Sequence, residues 1–371
     1  MSGFDNDIMY STNADFSTAG AGGASESNGL ISNGQLWIGR TAVNAGGTHI
    51  DVNTLTAGSG ISITNGPGTI TVTNTGPAND YHSARYIVSA GGAADGANYT
   101  TISSAITAAA AAVAPQTIFI QPGIYTENLT LSPGINLCAF DCDAYTPNVT
   151  ILGKMTVTAT GSYAISGINL KTNGDYVLQM TGANATTVYL INCFITATNA
   201  NAINCTNANA GLQLYRCNGN CGTNTYFIYT AGAVNVYYSI LSSTNSTTAS
   251  TFASANVSFS SSAMYCPVTT SGTGSFSSEH TFFNVLNATT LTIGGSGSSF
   301  LYFSRIEGGT GSAISIGTGA TLPVISCSVF STNTNAITGL GTLQYALIAF
   351  YGAGASSTVN TTTKTPLATL L

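Results

Sequence analysis

Charge is what this chain has least of. Only 5% of its 371 residues are Asp, Glu, Lys or Arg, against about 25% in an ordinary soluble domain. Seven Lys and Arg residues cannot build the basic stripe that neutralises several phosphates, and a pI near 4.7 opposes polyanions. Nucleic acid and anionic membrane surfaces are therefore excluded as partners. Long apolar runs are missing as well. The longest, around Ala105 to Ala114, is alanine broken by Thr107; it falls short of the roughly 18 residues of a membrane span and reads as a helix, so no membrane insertion is expected. The start, MSGFDNDIMYSTN, is acidic and has no hydrophobic core segment, so no secretory signal is expected. The eight cysteines form no C-x-x-C pair and are spaced too widely for a zinc site or a clear disulfide framework. Asp5-Asn6-Asp7 lacks the remaining ligands of a calcium loop, and GGAADG around Asp95 lacks the Lys-Ser/Thr of a phosphate loop. No metal and no cofactor are expected. Low charge does not here mean disorder, since the chain is 44% hydrophobic with a mean hydropathy of +0.26.

The few charges are unevenly placed. Up to Asp143 the net charge is -8, and from Ala144 onward it is +2; between Asp175 and Glu279 the only charged residue is Arg216. Exposed helix faces carry Lys and Glu, so such a stretch is not helical. A repeat accounts for it. Apolar residues recur at positions one, three, six and eight of a template seen at Tyr163, Ile165, Ile168, Leu170 and again at Val188, Leu190, Cys193, Ile195. Late copies are Leu322, Val324, Cys327, Val329 and Leu343, Tyr345, Ile348, Phe350. The second position runs Leu137, Ile165, Leu190, Leu214, Val236, Phe259, Phe282, Phe303, Val324 and Tyr345, with gaps of 28, 25, 24, 22, 23, 23, 21, 21 and 21. Further strands are expected about 13 residues after several of these anchors, at Leu178, Ile203, Phe227 and Ile337. Such a period of β-branched and aromatic residues predicts stacked strands, a rod on the order of 45 Å long at about 4.8 Å per coil. The register is weakest at Phe282, which sets His280 at an inward position.

Upstream, Ile102, Ala105, Ile106, Ala109 and Val113 make one apolar helix face, with Thr100 or Thr101 as N-cap and Pro115 past the end. This helix is expected to cover the open end of the first coil. Near the N-terminus, Ile61, Ile63, Ile70 and Val72 alternate around Asn65-Gly66-Pro67-Gly68, a hairpin signal.

Two resemblances join these observations. The stretch YTTISSAITAAAAAVAPQTIFIQPGIYTENLTLSPGINLCAF, Tyr99 to Phe140, resembles the opening of pectin-lyase-like right-handed parallel β-helices, and the likeness covers roughly residues 85 to 350. NGQLWIGRTA and TLTAGSGISITNGPGTITVTNTG resemble segments near the start of phage tail-fibre and tailspike-like proteins, which implies a homotrimer and a virion or extracellular location. The expected fold is all-β: a right-handed parallel β-helix of about ten coils, capped by one short α-helix and preceded by a hairpin-rich region. The expected parts are 1–80 for attachment or oligomerisation, 81–116 for a lead-in strand and the capping helix, 117–350 for the β-helix, and 351–371 for a C-terminal tail.

The first family includes lyases, hydrolases and esterases of acidic polysaccharides, which use clustered carboxylates, often with Arg or calcium. Asp141 and Asp143, two apart on a strand, are candidates for an acid/base pair or a calcium clamp, although Asp143 also sits where it would pair with Lys171 on the next coil. Glu279 beside His280 is a candidate acid/base pair, and Glu307 reads as a surface partner of Arg305. Arg216 and Arg305 share an offset four coils apart, too far for one site. Cys193, Cys217 and Cys327 read as buried ladder residues. Ile191, Tyr215, Tyr237 and Phe283, each just after an anchor, are expected to form an outward apolar stripe, a subunit interface or a sugar-stacking surface.

The residues thus favour a non-catalytic fibre-like adhesion protein of a phage-like particle, binding a cell-surface polysaccharide or another partner. The alternatives are a polysaccharide depolymerase, lyase or glycoside hydrolase, and a self-assembling extracellular filament. His49 and His82, in polar stretches, are expected to be solvated.

Overall fold

The computed structural model describes residues 30–32, 35–37, 61–66 and 69–74 and most of 86–366. The segments it leaves out of that last span are 92–97, 113–114, 141–146, 173, 175, 183–184, 199–200, 223–227, 244–249, 254–255, 286, 334, 352–358 and 361–362. The chain divides into two units, 1–80 and 81–371. In the first, Leu30–Ser32 pairs antiparallel with Gln35–Trp37, and Ile61–Gly66 with Thr69–Asn74. The second hairpin is the one the Asn65-Gly66-Pro67-Gly68 signal predicts.

The second unit is a right-handed parallel β-helix. Its strands lie in three sheets of 14, 11 and 11 members, each strand hydrogen-bonded to its equivalents one coil before and one coil after. The eight-residue template is two strands with a corner between them. In one coil, Thr186–Ile191 belongs to the first sheet, Asn192 and Cys193 turn the corner, Phe194–Ala197 belongs to the second sheet, and Ile203–Cys205 belongs to the third. The expected third-sheet positions Leu178, Ile203 and Ile337 are observed; at the remaining coil Ile228 pairs with Ile203, one residue past the expected Phe227.

The first sheet carries the register Leu137, Ile165, Leu190, Leu214, Val236, Phe259, Ser278, Leu301, Val324, Tyr345. Eight of the ten expected anchors stand. Phe282 and Phe303 do not: Ser278 and Leu301 take their places, because the inward column accepts a small residue at Ser278, which is fully buried and hydrogen-bonds Ser304 Oγ at 3.1 Å. Hydrophobicity alone drew the repeat onto the neighbouring phenylalanines.

With this register the corner becomes regular. The residue two past each anchor is left-handed in every coil from Gly167 onward: Gly167, Asn192, Arg216, Tyr238, Ser261, His280, Phe303, Ser326 and Leu347, with φ between 45° and 69°. A left-handed non-glycine residue costs about 1–2 kcal/mol, and each corner recovers interaction through its own amide, as when Asn192 N donates to Tyr215 O at 2.9 Å. The next position inward is Ser or Thr in four consecutive coils, at Ser239, Ser262, Thr281 and Ser304. Ser262 Oγ donates to Ser260 O at 2.8 Å and accepts from Ser239 N at 3.2 Å; Ser239 Oγ in turn accepts from Cys217 N at 3.0 Å. The thiols of Cys193, Cys217 and Cys327 occupy the same column and donate to backbone carbonyls. They are buried ladder residues, as expected.

The N-terminal end is closed by helix α1, Ile102–Ala110, with Thr101 as N-cap and Ile102, Ala105, Ile106 and Ala109 buried. Glu127, within the PGIYTENL stretch, adds a cap that spacing does not reveal: its two carboxylate oxygens accept from Ile102 N and Ser103 N, both at 2.9 Å. A carboxylate at a helix N-terminus is favoured by the orphan amides and the helix dipole. At the other end Val359–Asn360 and Thr363–Pro366 pair with the third and first sheets, so part of the tail extends the coils.

Candidate functional site

The first sheet presents alternate residues outward, and its outward columns flank the inward one by a single residue. Ile191, Tyr215 and Tyr237 are consecutive partners in one such column; Tyr189 and Gln213 are partners in the column on the other side. These five side chains line a shallow groove of about 300 Å³. Three of its residues are those the sequence singles out. Tyr189 and Gln213 were missed, although strict alternation along the strand puts them on the same face. The fourth expected member, Phe283, is 0% exposed. It lies five past the true anchor Ser278, facing the core, where its ring meets Phe259 edge-on at 5.6 Å; its placement outside followed from the misassigned anchor.

The groove holds no charged residue. One cation flanks it: Arg216 sits at the corner with its guanidinium carbon 5.2 Å from the centre of the Tyr215 ring, and among the described residues it has no ion-pair partner. Tyr238, also on the corner, meets Tyr215 edge-on at 5.6 Å.

Following the Tyr237 column onward gives Ser260, Glu279, Tyr302 and Ile325 in register. Glu279 therefore lies two coils beyond Tyr237 on the same outward face, about 10 Å along the rod. Its carboxylate is 3.6 Å from His280 Nδ1, and both side chains are more than half exposed, 56% and 58%. The His280 ring stacks on Phe303 at 5.2 Å with an interplanar angle of 7°. His280 is at the corner, not in the inward position that the Phe282 anchor implied. The pair thus presents an exposed imidazole beside an exposed carboxylate.

Glu307 lies apart from this pair. Glu307 lies on the second sheet, where it pairs with Arg305 as predicted, accepts from Asn284 Nδ2 at 2.7 Å and is 17% exposed. It faces away from the sheet that bears Glu279, so these two do not form a pair. Arg305 opens a second-sheet strand and Arg216 sits at a corner, so the two do not share an offset. Asp141, Asp143 and Asp175 lie outside the described residues, as do His49 and His82. Among the described residues there is no cluster of His, Cys, Asp and Glu able to hold a metal ion. No helix there is long and apolar enough to cross a membrane.

Three parallel sheets closed by a helix, with an aromatic groove on the outside of the first, define the class of fold: a right-handed parallel β-helix. No protein-family model and no curated protein sequence matches the chain. Several solved structures are similar to it in part. Pectin methylesterase PemA from Erwinia chrysanthemi is 12% identical, with 77% of this chain and 94% of that one covered and a TM-score of 0.37. A mutant pectin methylesterase in complex with hexasaccharide IV gives 13%, 78% and 94%, with a TM-score of 0.36. The Agl-KA catalytic domain gives 11%, 79% and 71%, with a TM-score of 0.45. At these identities the likeness is one of fold alone.

Proposed function

We propose that this chain is a polysaccharide-binding β-helix that holds a glycan strand along the outward face of its first sheet, against Tyr189, Ile191, Gln213, Tyr215 and Tyr237. The observation that carries this reading is the register of Ile191, Tyr215 and Tyr237. Apolar and aromatic side chains repeat at one coil step, close to the length of a pyranose ring, so successive sugars meet equivalent surfaces. Tyrosine rings pack against the C–H faces of sugars while their hydroxyls and the Gln213 amide hydrogen-bond the sugar hydroxyls. The test is calorimetric titration with a panel of oligosaccharides: binding is expected, and Tyr215→Ala and Tyr237→Ala should each abolish it.

A second reading, depolymerisation, is favoured by Glu279, which stands in the same column as the groove with His280 beside it. A strand lying along the rod would run from the aromatic groove across this pair. Two-carboxylate hydrolysis requires a second acid about 5–9.5 Å away, and the outward face of the first sheet offers Glu279 alone among the described residues. Proton abstraction and elimination, needing one base, suit the pair better. New unsaturated ends that vanish in Glu279→Gln support cleavage; an intact polymer leaves binding as the whole activity. The fibre-like adhesion reading rests on residues 1–80, of which the structure describes two hairpins, and it shares the glycan-binding half of this proposal.

A further inference from the structure

Beyond the groove, the outward face of the first sheet continues in register. The column of Ile191, Tyr215 and Tyr237 runs on through Ser260 and Glu279 to Tyr302. Its neighbour, which holds Tyr189 and Gln213, reaches Phe300 on the same coil as Tyr302. Phe300 is 38% exposed, and its ring meets that of Tyr302 at 5.2 Å and 61°. The face is therefore aromatic at both ends, about 24 Å apart at about 4.8 Å per coil. Between Tyr237 and Tyr302 it presents Ser258, Ser260, Ser277 and Glu279. We infer that the polysaccharide received here is uncharged, and that Phe300 and Tyr302 form a second platform for it on the far side of Glu279. The inference rests on the binding reading above and narrows its ligand.

Charge decides the ligand class. Over these six coils the two outward columns contain no Lys, Arg or His, and their one charge, Glu279, is negative. A polyuronate carries a carboxylate on every ring. Each carboxylate turned toward this face would lose water against aromatic rings, whose faces are electron-rich, with no cation to receive it. The ring over Glu279 would also meet a like charge. Arg216, at the corner against Tyr215, can answer one carboxylate of such a strand and not the series. A neutral glycan carries none of these costs. Its C–H faces stack on the rings at either end, and its hydroxyls hydrogen-bond the serines and Glu279 between them. An uncharged ligand also tells against elimination at Glu279, because that reaction removes the proton beside a uronate carboxyl group.

The test is calorimetric titration of the full chain with hexasaccharides of two kinds: mannohexaose, cellohexaose and xylohexaose against hexamers of mannuronate, guluronate and galacturonate. The tightest neutral hexamer should bind at least about tenfold more tightly than any uronate at low salt. The gap should narrow in molar salt, where the Debye length is about 3 Å. Ser258→Lys, which adds a cation to the face, should raise uronate affinity about threefold or more. Phe300→Ala and Tyr302→Ala should each weaken the neutral hexamer about fivefold, yet leave a neutral trisaccharide, which the groove alone seats, within about twofold. Uronates that bind as tightly as the neutral hexamers, with binding lost in Tyr215→Ala, overturn the inference and leave the glycan site standing. Neutral binding indifferent to both Phe300→Ala and Tyr302→Ala overturns the second platform. If no saccharide of either kind binds, the binding reading fails and this inference falls with it.

Discussion

The low charge of the rod makes a quantitative prediction at Ser260. This residue lies on the outward face of the first sheet, between Tyr237 on one side and Glu279 on the other, in register with both. Ser260→Glu would place two carboxylates one coil apart. At about 4.8 Å, two like charges repel by about 0.9 kcal/mol in bulk water and about 3.5 kcal/mol at the effective dielectric of a protein surface. Glu279 is 56% exposed, so water screening dominates and a cost of about 1 kcal/mol is expected. Ser260→Lys reverses the sign, and the two variants should differ by about 1–2 kcal/mol. Urea denaturation followed by circular dichroism, at low salt and again in molar salt, measures both. At about 1 M salt the Debye length falls to about 3 Å, and the difference should shrink to a small remainder. Equal stabilities for the two variants at low salt, or a difference indifferent to salt, would refute the argument that stacked registers select against charge.

Two further outcomes concern the ends and the interior of the rod. Glu127→Ala removes both acceptors from the α1 amides of Ile102 and Ser103; it should cost about 1–3 kcal/mol, with Glu127→Gln costing less, as read by urea denaturation. Burial pushes the Cys266 thiol up to about 12, and it raises Cys193 and Cys327 as well. A thiol whose folded value lies above its unfolded one holds its proton better in the native state, so its stabilising effect is complete below the unfolded value of about 8.5 and is lost as pH rises above it. Stability should therefore decline from about pH 9 upward, and these thiols should resist iodoacetamide at pH 9 until denaturant is added.

How much of this could be read from the residues differs by level. The coil, its period and the capping helix were legible because each leaves a local trace: alternation over a few residues, apolar anchors at intervals in the low twenties, and an Ala-Ile face with a Thr cap. The register failed at two coils, first where the inward position is the polar Ser278 and then at the next, where Leu301 is inward and Phe303 takes the corner. Ser278 is buried and satisfied by Ser304, a compensation made across a coil and invisible in a linear pattern, so the anchor slid to Phe282 and carried Phe283 to the wrong side. The left-handed corner was hidden for a related reason: Asn192, Arg216, Tyr238 and Leu347 share a backbone conformation and no side-chain chemistry. In the site, Ile191, Tyr215 and Tyr237 followed from their offset, whereas the alignment of Glu279 with them appears only when the anchor before it is Ser278. Glu127 as a helix cap is a contact over 25 residues, set by how one coil lies on another.

The central claim is that the outward face of the first sheet is the surface that receives a polysaccharide. A crystal structure with an oligosaccharide identified by titration tests it most directly. Sugar rings laid along the Ile191, Tyr215 and Tyr237 column, parallel to the rod and directed toward Glu279, are the predicted result. A saccharide bound on the second or third sheet, with the tyrosine groove empty, would contradict it.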